Sequence, residues 1–190
     1  MNYTGELLLP GQIGHFFTIV SFIASLIATY AYFKSTQSNP EQDAFSWKRF
    51  ARIAFFTEVL SVLIVCLSLF YILSNHYFEY KYAFEHTSLE LEPKYLFSAF
   101  WTNQQGSFLL WSFWHCVLGL IIMRTAKSRE APVMAVISFV QACLATMVLG
   151  IYFFGHKVGD SPFALLRDAG AFSPDNAPVM FDLNGVLKSD

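Results

Sequence analysis

Apolar residues dominate four runs of this chain, at about 13–33, 53–73, 107–123 and 133–154, and polar residues gather between them. A helix that crosses a bilayer needs about 20 mostly apolar residues, so each run predicts a transmembrane helix. The third run is the shortest, and the pattern predicts that its helix draws in a polar first turn through Gly106 toward Ser98. The predicted fold is therefore an all-α integral membrane protein: a four-helix membrane domain over residues 1–154, a loop over 74–106 and a tail over 155–190.

Within the loop, Tyr77-Phe78-Glu79-Tyr80-Lys81-Tyr82-Ala83-Phe84 alternates aromatic and polar positions. That is the period of a half-buried strand, and it predicts an extended stretch or short hairpin. The tail, with Pro162, Pro174 and Pro178 among scattered Gly and Asp, has too few clustered apolar residues for a core of its own. It is expected to continue into a larger protein.

Composition strengthens the membrane reading. The 190 residues are 55% hydrophobic and 14% charged, where a soluble domain carries about 25% charge. The 21 Phe, 9 Tyr and 4 Trp suit helices in lipid with rings at the interfaces. A net charge of -2 with no basic, aromatic-interleaved cluster excludes a nucleic-acid partner. Cys66, Cys116 and Cys143 lie inside apolar runs without zinc or thiol-redox spacing, so they read as core residues and no metal site is expected. Without a Cys-x-x-Cys-His run, the chain does not itself carry covalent c-type haem.

Lys and Arg set the orientation, because cytoplasmic segments retain them. Lys34, Lys48, Arg49 and Arg52 fall in the first linker, and Arg124, Lys127 and Arg129 in the turn before the fourth run. The N-terminus, the 74–106 loop and the tail, with Asp160, Asp168, Asp175, Asp182 and Asp190, are then outside. Glu6 and the lack of a base before the first run oppose a cleaved secretory signal. The expected location is a bacterial inner membrane, with the N-terminus and tail in the periplasm.

Two ionisable residues fall inside runs, where such groups are expensive and are functional candidates by default. Glu58 is expected about a turn and a half into the second helix, either protonated or, as the stronger reading, in a structural pair with a neighbour such as Arg52. His115, near the middle of the third helix, could ligate a b-type haem or relay a proton. The plainer reading of His115 is a neutral histidine bonded to a neighbouring helix. Ser107, Trp111, His115, Leu118 and Ile122 share one helical face. Such a stripe is more often bundle core than cofactor wall, and Gln141 on the fourth helix is its expected hydrogen-bonding partner. His15, His76, His86 and His156 all fall at or beyond the outer boundary.

The run from Tyr95 to Trp111, with Ser98-Ala99, Trp101, Gly106-Ser107, Leu109-Leu110 and Trp111, resembles the Y-x-x-S-A-x-W-x-x-x-E-G-S-x-L-L-W segment near the start of cytochrome c maturation haem-lyase proteins of the CcmF/CcsA type. In residues the resemblance covers about 71–123, and in topology the whole chain. This chain carries Gln105 where the family often has an acid. The family's tryptophan-rich outer loop and its His-Pro-Pro region have no counterpart here, so no family haem ligand is carried over.

The resemblance implies the N-terminal membrane portion, or a split subunit, of a haem lyase (holocytochrome c synthase) system. Such a protein receives haem and presents it outside the membrane to the thiols of apocytochrome c, among other cytochrome c maturation proteins. Haem b is the implied cofactor. His115, Trp101, Gln104 and Trp111 are then the candidate cofactor-binding residues, with Gln105, Gly106, Ser107 and Glu58 as structural positions and no catalytic residue assigned. Two other readings stand beside it: a transporter or channel subunit with Glu58, His115 and Gln141 along a polar pathway, and a b-type electron-transfer subunit with His115 as axial ligand.

Overall fold

A computed structural model of the chain describes residues 7–153 and 155–168. Four of its helices are long and apolar enough to cross a membrane. They are α1 (Leu9–Gln37), α2 (Glu41–Ser74), α5 (Gln104–Thr125) and α6 (Glu130–Leu149), the last entered through a 3-10 turn at Lys127–Arg129. Two short helices, α3 (Lys81–His86) and α4 (Pro93–Phe100), lie between α2 and α5. A hairpin of β1 (Ile151–Phe153) and β2 (His156–Val158) follows α6.

The bundle is built around α1, which packs along α2 and α6, while α5 packs chiefly on α6. The buried face of α1 consists of Gly11, Gly14, Thr18, Ser21, Ser25, Ala28, Tyr32 and Ser35, with Ala24 and Ala31 beside them. These recur every three or four residues, so small side chains line one stripe and let neighbouring helices approach closely. Many large apolar residues point outward: Ile23, Tyr30 and Phe33 on α1, Ile53, Leu60 and Leu67 on α2, Trp114 and Ile121 on α5, Val136 and Phe139 on α6 are all exposed, while Phe55, Leu69, Ile72, Leu73 and Met134 fill the core. A seam of small residues on α1 and an outer surface of bulky apolar ones suit a bundle whose solvent is lipid.

The helices run further than the apolar runs. Most of the first basic linker is helical: only Ser38, Asn39 and Pro40 separate α1 from α2. Pro40 lacks an N–H to lose at a helix start, which suits this position. Lys34 then lies on α1 and Lys48, Arg49 and Arg52 on α2, at the same end as Arg124, Lys127 and Arg129. α5 begins at Gln104 rather than reaching back to Ser98, because the chain turns at Trp101–Asn103 and Asn103 caps the new helix, its Oδ1 accepting from Gln104 N at 2.7 Å. α6 stops at Leu149, short of residue 154. Gly150 takes a left-handed φ of 71° and its N–H closes on Thr146 O at 3.2 Å, after which the chain forms the hairpin.

The loop end is a packed cap. The expected strand or hairpin at 77–84 is instead a bend followed by α3, which buries Tyr80, Tyr82 and Ala83. Six helical residues complete fewer than two turns, too few for a period of 3.6 to show against an alternating background. The described part of the tail folds back onto this cap: Tyr80 pairs with Leu165, Lys81 N donates to Ala164 O at 3.0 Å and Leu166 N to Glu79 O at 2.9 Å. Pro162, Phe163 and Leu166 are buried, and the Phe163 ring fills the space where Gly14 lacks a side chain. The Tyr80 hydroxyl ties the cap to α1, accepting from Gly11 N at 3.0 Å and donating to Leu7 O at 2.8 Å. Asp175, Asp182, Asp190, Pro174, Pro178 and Glu6 lie outside the described residues.

Candidate functional site

Two places gather the residues singled out by the sequence: the corner between α4 and α5, and the interior of the bundle. The corner is held by backbone and hydroxyls. Tyr82 of α3 donates to Phe100 O at 2.7 Å and to Ala99 O at 3.2 Å, closing the end of α4. Burial pushes the Tyr82 phenol up to about 12, with the nearby Asn103 backbone acting in the opposite direction, so at neutral pH it remains a donor. Gly106 lies directly against this junction. A Cβ there would collide with the Phe100 carbonyl oxygen and the Tyr82 hydroxyl, which is the physical reason for glycine in the first turn of α5. Ser107 Oγ donates to Trp101 O at 3.1 Å, and the Trp101 ring stands edge-on to Phe97 with centroids 4.7 Å apart. Gln105 reaches the tail, its Nε2 lying 3.4 Å from Asp160 Oδ2.

Trp101, Gln105, Gly106 and Ser107 therefore belong to one joint. Gln104, Trp111 and His115 do not face it. They recur at i, i+7 and i+11 on the peripheral face of α5, where Gln104 and Trp111 are exposed and His115 is half-buried, its Nδ1 turned out of solvent and unbonded among the described residues. The stripe from Ser107 to Ile122 is thus not the core face of the helix: Trp111 and Leu118 are exposed, and only its last member, Ile122, packs against a core cluster, whereas the inward face carries Gly106, Leu109, Ser112, Cys116 and Gly119. The helix turns this way because Gly106 and Gly119 admit the closest neighbours, Phe100 at one end and the Phe55 ring at the other.

The interior holds a second set of polar groups. Arg52 does not pair with Glu58. It makes a two-pronged bond to Glu130, Nε to Oε1 and Nη2 to Oε2 each at 2.6 Å, with Glu130 only 2% exposed. Glu58 sits one and a half turns deeper on α2, near the midpoint of the helix and fully buried. The ionisable groups within its electrostatic reach include Tyr32 of α1 and Cys116 of α5. The Gln141 carboxamide bears on Glu58 from α6. Neither Glu58 oxygen has a hydrogen bond of good geometry among the described residues.

Gln141 does bond to α5, as its place opposite the third helix suggested, but to the inward face: its Nε2 donates to Ser112 O at 3.1 Å and lies 3.4 Å from Cys116 Sγ. Beyond Ser112 a gap of about 10 Å³, bordered by Thr18, Ser21, Val62, Leu109 and Val148, has room for about one water. Glu130 and Tyr32 are the interior residues that sequence reasoning missed. Glu130 stands among the bases of a turn and next to a helix start, where an acid reads as an ordinary N-terminal residue. Its signal was the pairing of one acid with several bases at the same end.

Cys66, Cys116 and Cys143 are free thiols inside helices. Among the described residues no three His, Cys, Asp or Glu side chains converge as a metal site. His15, His76, His86 and His156 all belong to the loop-end half of the molecule, and His86 stacks on Tyr82 with Nδ1 2.9 Å from Tyr82 O. Comparison with protein-family models, curated proteins and solved structures finds no match to this chain.

Proposed function

We propose that this chain is a membrane scaffold in cytochrome c biogenesis that holds haem, as haem b, for attachment to apocytochrome c, as part of a haem lyase system with other cytochrome c maturation proteins. The reading places the loop end in the periplasm of a bacterial inner membrane. The Lys and Arg residues collected at the other end support that orientation. The observation that carries the reading is the face of α5 bearing Gln104, Trp111 and His115, displayed beside a joint made of the motif residues Trp101, Gln105, Gly106 and Ser107.

The donor set suits one side of a flat, propionate-bearing ring. Trp111 offers an apolar plane, His115 an imidazole nitrogen, and Gln104 an amide that donates to a carboxylate. Haem supplies the vinyl groups to which the apocytochrome thiols add. The work of this chain is to position: the corner fixes the start of α5, so the face keeps its place at the membrane boundary, and its outward side is left for a partner to cover.

The test uses the full gene product in its own cells and in detergent. Trp111→Ala and Gln104→Ala are expected to lower both haem content and the yield of holocytochrome c, while the chain stays in the membrane at normal level. Normal haem content and normal yield in both variants contradict the proposal. A b-type Soret band abolished by His115→Ala, in cells whose c-type cytochromes mature normally, replaces it with the electron-transfer reading. The transporter or channel reading draws on the interior set around Glu58, and its test is flux in vesicles that responds to Glu58→Gln.

A further inference from the structure

Inside the bundle, four side chains carry oxygens without a hydrogen bond of good geometry among the described residues: the Tyr32 hydroxyl on α1, both carboxyl oxygens of Glu58 on α2, and the Ser138 hydroxyl and Gln141 Oε1 on α6. Tyr32, Glu58 and Ser138 are 0% exposed and Gln141 is 1% exposed. They are neighbours as well as alike. Tyr32 and Gln141 both bear on Glu58, and Ser138 lies one turn before Gln141 on the same side of α6. Buried polar atoms normally find partners, and their failure to do so in company calls for a missing participant.

For an ionised Glu58 the participant must be positive and small. The ionisable groups facing Glu58 are Tyr32 from α1 and Cys116 from α5, and from α6 the facing group is the neutral Gln141. Arg52 and Glu130, the charged residues nearest to Tyr32, are committed to each other. A metal cation of the calcium or magnesium kind needs six or more oxygens, several of them charged, and this cluster has one carboxyl. A proton needs one oxygen and no room.

We propose that Glu58 is a proton-binding site in the interior of the bundle. In the loading step one Glu58 carboxylate oxygen bonds a proton released by hydronium, which is left as water, and the carboxylate becomes a neutral acid. The loaded carboxyl is a donor as well as an acceptor, and Gln141 Oε1 is an acceptor without a donor among the described residues. The site lies on the inward side of α5, opposite the Gln104–Trp111–His115 face, and it does not depend on the haem reading.

The experiment is infrared difference spectroscopy of the full chain in lipid nanodiscs, titrated with pH in sodium and in choline salts. The expected result is a protonated-carboxyl C=O band that titrates, is lost in Glu58→Gln, and returns at a shifted frequency in Glu58→Asp. Absence of any Glu58-dependent band at every pH where the wild type is folded overturns the proposal, as does a response to sodium without a response to pH.

Discussion

Gly106→Ala puts a single methyl group at the α4–α5 corner, and its cost can be worked from the structure. The added Cβ falls on the Phe100 carbonyl oxygen and the Tyr82 hydroxyl, and 2.9 Å from the Phe100 carbonyl carbon. Alanine is the better helix former by about 1 kcal/mol, which favours the variant. Against this, forcing a methyl into a filled site costs about 1–3 kcal/mol. Displacing the Tyr82 hydroxyl from Phe100 O and Ala99 O costs about 0.5–1.5 kcal/mol more. The net expectation is a loss of about 1–3 kcal/mol, a factor of about 5 to 150 in the folded-to-unfolded ratio.

Reversible unfolding in mixed detergent micelles measures it, and a double-mutant cycle with Tyr82→Phe locates it. Removing the hydroxyl relieves one of the two collisions, so Gly106→Ala costs less in the Tyr82→Phe background. It stays destabilising there because the Phe100 carbonyl belongs to the backbone. A Gly106→Ala protein as stable as wild type, or more so, refutes the corner as described.

The remaining predictions concern the interior and the cap. Arg52→Met leaves Glu130 buried without its partner. A fully buried broken pair costs about 3–5 kcal/mol and an exposed one about 0–1, and with Arg52 41% exposed the expected loss is about 2 kcal/mol. The Arg52→Met/Glu130→Leu double variant recovers most of it in the same unfolding assay. Gln141→Leu removes the bond to Ser112 O and is expected to cost about 0.6–1.7 kcal/mol, measured against Ser138→Ala, which breaks no interhelical bond found here. The Tyr82 phenol is raised to about 12 from an unfolded value of about 10. The folded state therefore favours the protonated form, and its contribution is whole below about pH 10 and is lost as pH rises toward 12. A stability–pH profile that falls in that window for wild type and is flatter for Tyr82→Phe checks the sign.

The four crossings are legible in the chain because lipid demands long apolar runs, and hydropathy reports them directly. Which side of each helix faces inward is harder to read, since inside and outside are both apolar. In α1 the signal is size rather than polarity: the small residues 11, 14, 18, 21, 25, 28 and 35 repeat at helical spacing, with the larger Tyr32 filling the remaining position. In α5 the same rule points to Gly106, Ser112, Cys116 and Gly119, and away from the more conspicuous Trp111 and His115. The Arg52–Glu130 pair spans residues far apart in sequence and cannot be told from an Arg52–Glu58 pair until the fold brings the start of α6 within reach of Arg52. Glu58 is deeper than the apolar run suggests because α2 begins at Glu41, with charged first turns that hydropathy assigns to a linker. The cap was hidden for a different reason: α3 and α4 are six and eight residues long, and their shape is set by Tyr80, Tyr82 and Phe163 closing over the ends of α1 and α5.

The central claim, that the chain serves haem attachment to apocytochrome c, is tested most directly by deleting the gene that encodes it and measuring covalent haem on the c-type cytochromes of that cell. The account predicts that holocytochrome c is lost while apocytochrome is still made and exported and b-type cytochromes keep their haem. Full maturation of the c-type cytochromes in the deletion strain contradicts it.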